Sequence, residues 1–269
     1  MVFQRRVFSF LAGKTALITG STSGIGEGVA RSLAAKGANI IFNGFGDEAE
    51  INKLVSSVQK EYKVDTTFIG GDLSKQEDVK ALHQQAISKF PGGIDILVNN
   101  AGFQHVSPIE SFPLDVYSKM IGVMLIAPFH LTQLCLGNMK QKGWGRIVNI
   151  ASAHGHVASP NKTAYVSIKH GIIGLTKAVA IESAGSGVTC TAVCPGYVET
   201  PLFVKQAEAI AQKQGVSYEE GKKHILRVHP SGTAVQVDEI SDCVAFLCSP
   251  AANQMTGTSL IVDGGWLAN

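Results

Sequence analysis

Ser152, Tyr165 and Lys169 are the residues of this chain best suited to moving a proton. Tyr165 and Lys169 are four apart, and Ser152 closes the apolar run GRIVNIAS thirteen positions upstream of the tyrosine. Residues four apart share one face of a helix, so the Lys169 ammonium is placed to favour the ionised form of the Tyr165 phenol. To act as acid or base near neutrality, a phenol of ordinary pKa ~10 would have to fall by roughly three units. That is about 4 kcal/mol, a large demand on one lysine. A tyrosine and a lysine at this spacing also occur by chance on many amphipathic helices, so the pair takes its meaning from what surrounds it.

The first support is TGSTSGIG at residues 19–26, directly after the apolar strand candidate TALIT. Gly20, Gly24 and Gly26, with Thr22, Ser23 and Ile25 between them, suit a tight strand-to-helix turn. A helix from about Ile25 to Lys36 would then present unpaired amides to a pyrophosphate. A plain turn would need no such sequence, and the position between a strand and a helix favours a nucleotide site.

The elements that must position these residues can be followed along the chain. TALITG, ANIIFNG, TTFIGGD, IDILVNN, GRIVNIAS, GVTCTAVCPG and SLIVDGG are short β-rich runs, and helix-length segments separate nearly all of them. Runs apolar on both faces with helical crossovers predict an α/β chain with a doubly wound parallel sheet of about seven strands and helices on both faces. Residues 202–230 depart from this pattern. They carry helical spacing and many polar groups between the sixth and seventh strands, as a lid over a site would, or an ordinary surface helical pair.

With 269 residues, 45% hydrophobic and 16% charged, the composition fits one large core, and we expect a single domain over 1–269. A net charge of +2 and no basic block with interleaved aromatics argue against a nucleic-acid partner. No apolar run of about eighteen residues is evident, so no membrane span is expected. The five cysteines form neither a CxxC pair nor an even set, which speaks against a disulfide framework or a metal site. The start, MVFQRRVFSF, has two arginines and no acid. We read 1–11 as a surface extension of a cytoplasmic protein, with a mitochondrial leader and matrix location as the alternative.

In open sheets of this kind ligands sit beyond the carboxyl ends of the strands. Asp72 and Leu73 end the third strand, Asn100, Ala101 and Gly102 the fourth, Ser152 the fifth, and Pro195, Gly196 and Thr200 follow the sixth, outlining a dinucleotide groove. After the second strand, residues 43–52 (NGFGDEAEIN) hold three acids and no lysine or arginine. A 2′-phosphate would find repulsion there, so NAD is favoured over NADP, and Phe45 either blocks the phosphate position or packs under the adenine. Beside the trio, Gln104, His154 and Lys162 supply donors, Lys162 three before Tyr165 on roughly the same helical face. Each alone reads as a solvated polar residue. Together they suggest a small ligand with a carboxylate near its reacting carbon.

Through TGSTSGIG, NNAG at 99–102, Ser152, the Tyr165–Lys169 motif and PGYVET at 195–200, the chain resembles the short-chain dehydrogenase/reductase family over almost its whole length. The resemblance implies a Rossmann-like fold, with Tyr165 as general acid/base and Ser152 holding the substrate oxygen. Lys169 would bind the nicotinamide ribose and lower the tyrosine pKa. The 20–26 loop and Asn100 would line the cofactor, Asp72 and Leu73 would meet the adenine, and Thr200 with the backbone from Pro195 through Val198 would meet the nicotinamide amide. NGFG, NNAGFQH, IASAHG, NKTAY and DGGW resemble more closely the family's bacterial-type D-3-hydroxybutyrate dehydrogenase branch. That likeness implies that Gln104, His154, Lys162 and, from the lid, Gln206 bind the carboxylate, with Trp266 at the methyl end. It also implies a homotetramer meeting through the helices that carry Met124 and Tyr165.

Two departures stand out. Tyr197 follows PG where that branch has tryptophan, and Met124 takes the place of the family's active-site asparagine, an amide whose role a thioether cannot fill. The readings left by the sequence are an active NAD-dependent dehydrogenase, for 3-hydroxybutyrate or another short hydroxy acid or carbonyl compound, and an NAD-binding protein of low turnover.

Overall fold

The computed structural model describes residues 9–268, so the expectation for the first eight residues lies outside it. Seven strands, β1 (Thr15–Ile18), β2 (Asn39–Phe42), β3 (Thr66–Phe68), β4 (Ile96–Asn99), β5 (Gly145–Ile150), β6 (Val188–Pro195) and β7 (Ser259–Val262), form one sheet. Its order is β3-β2-β1-β4-β5-β6-β7, and every pairing is parallel. The order reverses between β1 and β4, and a crevice opens there beyond the carboxyl edge. The central strands are buried on both faces because helices cover both, which is why their sequences run apolar without alternation.

On one face α1 (Gly24–Ala35) packs with α9 (Val237–Leu247), and Val29, Leu33, Ile240 and Val244 join Ile18, Ile40 and Val98 in one core. On the other, α3 (Gln76–Lys89) and α5 (Ala127–Lys142) bury Leu82, Leu131 and Met139 against Leu17, Leu97 and Ile147. The acidic segment after β2 forms α2 (Glu48–Tyr62), with the Asp47 carboxylate accepting from the amides of Ala49 and Glu50 as its N-cap. Leu11 is fully buried in the first core and its amide donates to Lys36 O (3.0 Å), so the core begins inside the stretch expected to be a surface extension.

Helix α4 (Leu114–Ile121) runs into α5 through one π turn, Gly122–Ile126. Pro128 has no N–H for the Met124 carbonyl, and the Ala127 amide reaches back five residues to Gly122 O, which accommodates the break. The continuous helix 114–142 is long and apolar enough, by length and composition alone, to cross a membrane, although no unbroken apolar run marks it in the sequence. Half of its most apolar window is buried within the protein, as a core helix requires. Residues 202–230 form two helices, α7 (Pro201–Gln214) and α8 (Tyr218–Leu226), packed through Phe203, Ala207, Ile225 and Leu226.

Candidate active site

A cleft of about 620 Å³ lies along the carboxyl edge of the sheet. At one end is the glycine-rich turn. Gly20 has φ +62°, and a Cβ on Gly26 would sit 2.3 Å from Gly20 O and 2.5 Å from Asn100 Nδ2, so the turn closes only around a bare α-carbon. Asn100 braces the turn, its Nδ2 donating to Thr19 O and Gly20 O (both 2.9 Å). Ser23, the N-cap of α1, makes no side-chain capping bond, which leaves the first amides of a twelve-residue helix facing the groove. These features fit a pyrophosphate.

Thr22, Ser23, Gly24, Ile25, Phe45, Asp72, Leu73, Ala101 and Gly102 line this half with Gly20 and Asn100, and Pro195, Gly196, Val198 and Thr200 line it further along. Gly26 stands behind the turn rather than on the cleft. Phe45 is 73% exposed at the rim, and the Asp47 carboxylate beside it is held by the amides of α2.

The proton-moving trio sits at the middle of the cleft. Ser152 lies just past β5 as the cap of a short turn, its Oγ accepting from the His154 amide (3.1 Å). Tyr165 and Lys169 share one face of α6 (Thr163–Glu182), with Lys169 Nζ 5.4 Å from the phenol ring centroid and donating to Ile150 O at 2.7 Å. The depressed phenol expected from the lysine is not what this packing produces. Part of Tyr165 faces the cleft, but its ionisable group is enclosed. Burial pushes it up to about 12, with the Ser152 hydroxyl opposing and the Tyr197 phenol adding to the rise. Burial likewise pushes Lys169 down to about 8. Both groups therefore lean toward their neutral forms.

At the far end the structure gathers Gln104, His154, Lys162, Gln206 and Trp266. Gln206 on α7 donates to Gln104 Oε1 (2.9 Å), tying the helical pair to the loop after β4. Lys162 does not share the helical face of Tyr165. It is the residue before α6, with φ −120° and ψ 22°, and it reaches the cleft from outside the helix. Its Nζ donates to the Tyr197 hydroxyl at 3.1 Å and lies 5.1 Å from that ring's centroid. His154 is buried, its Nε2 2.9 Å from Ser159 Oγ, and burial, then the Lys162 and His170 charges, push it down to about 4. It is a neutral hydrogen-bonding group, and Lys162 carries the positive charge of this end.

Tyr197 and Trp266 stand out in the sequence, but three contacts escaped sequence reasoning. Tyr197 stacks on Trp266 (centroids 5.6 Å apart, 5° between planes), and Trp266 meets His154 edge-on at 4.9 Å, so an aromatic wall spans three segments. Ser159 fixes the His154 ring, and His229 stands behind Tyr197. Neither carries a local signal, because each acts on a residue distant in sequence. Met124, by contrast, was singled out, and it lies in a buried cluster with Tyr165 and Ile168.

Comparison with known proteins places these features in context. A family model described as Enoyl-(Acyl carrier protein) reductase matches residues 20–267. The chain is 51% identical over 263 residues to the D-beta-hydroxybutyrate dehydrogenase of Cupriavidus necator, covering 96% of this chain and 99% of that one. It is 46% identical over 256 residues to the D-beta-hydroxybutyrate dehydrogenase of Rhizobium meliloti, with 95% and 99% covered. A crystal structure from Agrobacterium tumefaciens, provisionally assigned as a gluconate dehydrogenase, superimposes with a TM-score of 0.87 at 28% identity, over 98% of this chain and 100% of that one.

Proposed function

The chain belongs to the short-chain dehydrogenase/reductase family and is an oxidoreductase, and from that premise we propose that it interconverts D-3-hydroxybutyrate and acetoacetate with NAD as hydride carrier. The observation that carries this reading is the convergence of one cationic side chain, Lys162, with two amides, Gln104 and Gln206, and a neutral imidazole, His154, on the Ser152–Tyr165 end of the cleft. A carboxylate two bonds from the reacting carbon would meet the ammonium and the amides while the carbinol lies against Ser152 and Tyr165. The stacked Tyr197 and Trp266 leave an apolar face for a methyl group and would crowd a long chain. The α7–α8 pair, already tied across the cleft by Gln206, serves as the lid over such a substrate.

In the oxidative direction Tyr165 takes the hydroxyl proton while Ser152 donates to the oxygen, and the carbinol C–H bond releases its electron pair as hydride. When bound, NAD supplies the acceptor for that hydride and a positive ring that favours an adjacent phenolate. Lys169 holds a proton beneath the tyrosine and anchors to Ile150 O. In the reductive direction the neutral phenol of Tyr165 is the proton donor, the form its burial already favours. Oxidation therefore gains rate, and reduction loses it, as pH rises through the titration of the Tyr165–Lys169 pair. The absence of lysine or arginine from residues 43–52 supports NAD rather than NADP. The same reading makes the protein a homotetramer, joined through exposed apolar residues such as Phe129 on α5 and Ile181 on α6.

A second reading, an NAD-binding protein of low turnover, rests on the thioether of Met124 in the cluster that holds Tyr165. NADH formation with D-3-hydroxybutyrate separates the two: turnover abolished by Tyr165→Phe supports the dehydrogenase, and NAD binding without turnover supports the second reading. Met124→Asn is expected to leave the fold intact and raise the rate. An unchanged rate would show that proton delivery does not depend on an amide at this position.

A further inference from the structure

We infer that His229, which does not line the cleft, is a positioning residue for the carboxylate end of the substrate: it fixes Tyr197, and Tyr197 in turn holds Lys162 and forms the wall with Trp266. The inference deepens the reading above and rests on it for the identity of the substrate.

His229 is buried at the end of the segment that follows α8. Its Nε2 accepts the Tyr197 backbone N–H at 2.9 Å, so the ring proton sits on Nδ1, which donates to Thr233 O at 2.9 Å. Both ring nitrogens are used, and one tautomer satisfies both bonds. The imidazole also packs 5.8 Å from the Tyr197 ring and 6.0 Å from the Trp266 ring, centroid to centroid. Two glycines admit it. A Cβ on Gly196 would come within 2.5 Å of Nε2, and one on Gly264 within 3.2 Å of Nδ1. The Ser231 amide, donating to Gly264 O at 3.0 Å, draws the same segment against the turn that carries Trp266.

One side chain therefore joins three loops, after β6, after α8 and after β7, at the point where each turns toward the cleft. The far side of Tyr197 does the work on the substrate side, where its hydroxyl accepts from Lys162 Nζ (3.1 Å) and its ring stacks on Trp266. If Nε2 is removed, the Tyr197 N–H loses its acceptor, and the ring, its hydroxyl and the ammonium are released together. The catalytic trio and the glycine-rich turn have no bond to His229, so they should be unaffected.

The test is made on the full-length protein. His229→Leu should raise KM for D-3-hydroxybutyrate about tenfold, with kcat changed less than about threefold and the KM for NAD rising by less than the substrate constant, since Tyr197 shares its backbone with the Pro195–Val198 stretch at the nicotinamide. His229→Gln, whose amide oxygen reaches the Nε2 position, should recover most of that loss. Tyr197→Phe, which keeps the ring and removes the acceptor for Lys162, should raise the same KM by about threefold even if His229→Leu fails to fold. A KM unmoved by both His229→Gln and Tyr197→Phe while His229→Leu is wild-type would overturn the inference, as would equal rises in the constants for substrate and NAD. Should the wild-type protein not oxidise hydroxybutyrate, the functional reading fails, and the positioning of the wall is judged separately. With Trp144→Phe, Trp266 is the sole tryptophan. Greater quenching of its emission by acrylamide in His229→Leu supports the inference, and unchanged quenching overturns it.

Discussion

At the dinucleotide end of the cleft the walls are largely backbone, the close-packed turn from Gly20 to Gly26 braced by Asn100, whereas at the other end they are long side chains from four separate segments. Among the described residues the first end holds only Asp72 with a shifted carboxyl, lowered by the Ser74 hydroxyl and amide. The second holds a neutral buried His154, and the middle of the cleft that adjoins it holds an enclosed phenol and ammonium. A backbone-built site is fixed once the chain folds and is insensitive to pH. A side-chain-built site carries burial costs, and those costs make it both specific and vulnerable.

The sharpest test of this contrast is Lys169→Met, where the two ends meet. Lys169 falls from 10.5 to about 8, so its charge at neutral pH is held against a burial cost of about 3 kcal/mol. The sign follows from the unfolded chain, which keeps its proton between pH 8 and 10.5 while the folded chain gives it up, so the cost is complete below about 8 and disappears toward 10.5. Methionine removes the charge and strands the Ile150 carbonyl, for a net gain of about 2 kcal/mol in stability at pH 7. Turnover should fall by about a thousandfold or more. Denaturant melts beside initial rates check both. A variant that is less stable and still active would erase the distinction between a burial cost kept for chemistry and an ordinary core.

Acid should weaken the substrate end first. His154 falls from 6.5 to about 4, so below 6.5 the unfolded chain binds a proton that the folded chain refuses. Stability from this group is intact above 6.5 and is lost as pH drops toward 4, by up to about 3 kcal/mol. The difference in unfolding free energy between wild type and His154→Gln, followed from pH 7 to 4, isolates it from other histidines. Parallel curves would mean that His154 is solvated in the folded protein.

How much of this could be read from sequence follows the same division. The glycine turn, the seven strands and the helix holding Tyr165 and Lys169 are contiguous patterns whose geometry is set by neighbours in the chain. Lys162 was assigned to the cleft for the wrong local reason, since it precedes α6 instead of riding its face. The Tyr197–Trp266 stack, Ser159 under His154 and His229 behind Tyr197 depend on loops brought together only by the sheet, with no periodicity to reveal them. The spanning-length helix is not evident in the sequence because polar residues such as His130, Thr132 and Gln133 interrupt its apolar ones.

Lys162→Ala tests the charge of the substrate end alone. Its ammonium, beside Gln104, His154 and Gln206, is the cationic contact proposed for a carboxylate there, and a charge-assisted bond of this kind corresponds to about thirtyfold in KM for hydroxybutyrate. The KM for NAD should hold, because no residue of the glycine turn touches Lys162. A uniform rise in both constants would merge the two ends into one coupled site.

Phe45→Ala carries a smaller expected effect than Lys162→Ala and probes the other end. Phe45 is a large side chain at the rim of the backbone-built half, 73% exposed with the Asp47 cap two residues on. Stacking of an aromatic ring on a base is worth ~1–3 kcal/mol where well enclosed, and this exposed position belongs at the low end, so NAD affinity should fall about fivefold. The hydroxybutyrate constant should not move. Preference against NADP should also survive, because the repulsion comes from Asp47, Glu48 and Glu50 and the lack of a cation among residues 43–52, and neither depends on the ring. If Phe45→Ala instead admits NADP, the ring itself blocks the phosphate, and the dinucleotide end is set by a side chain after all.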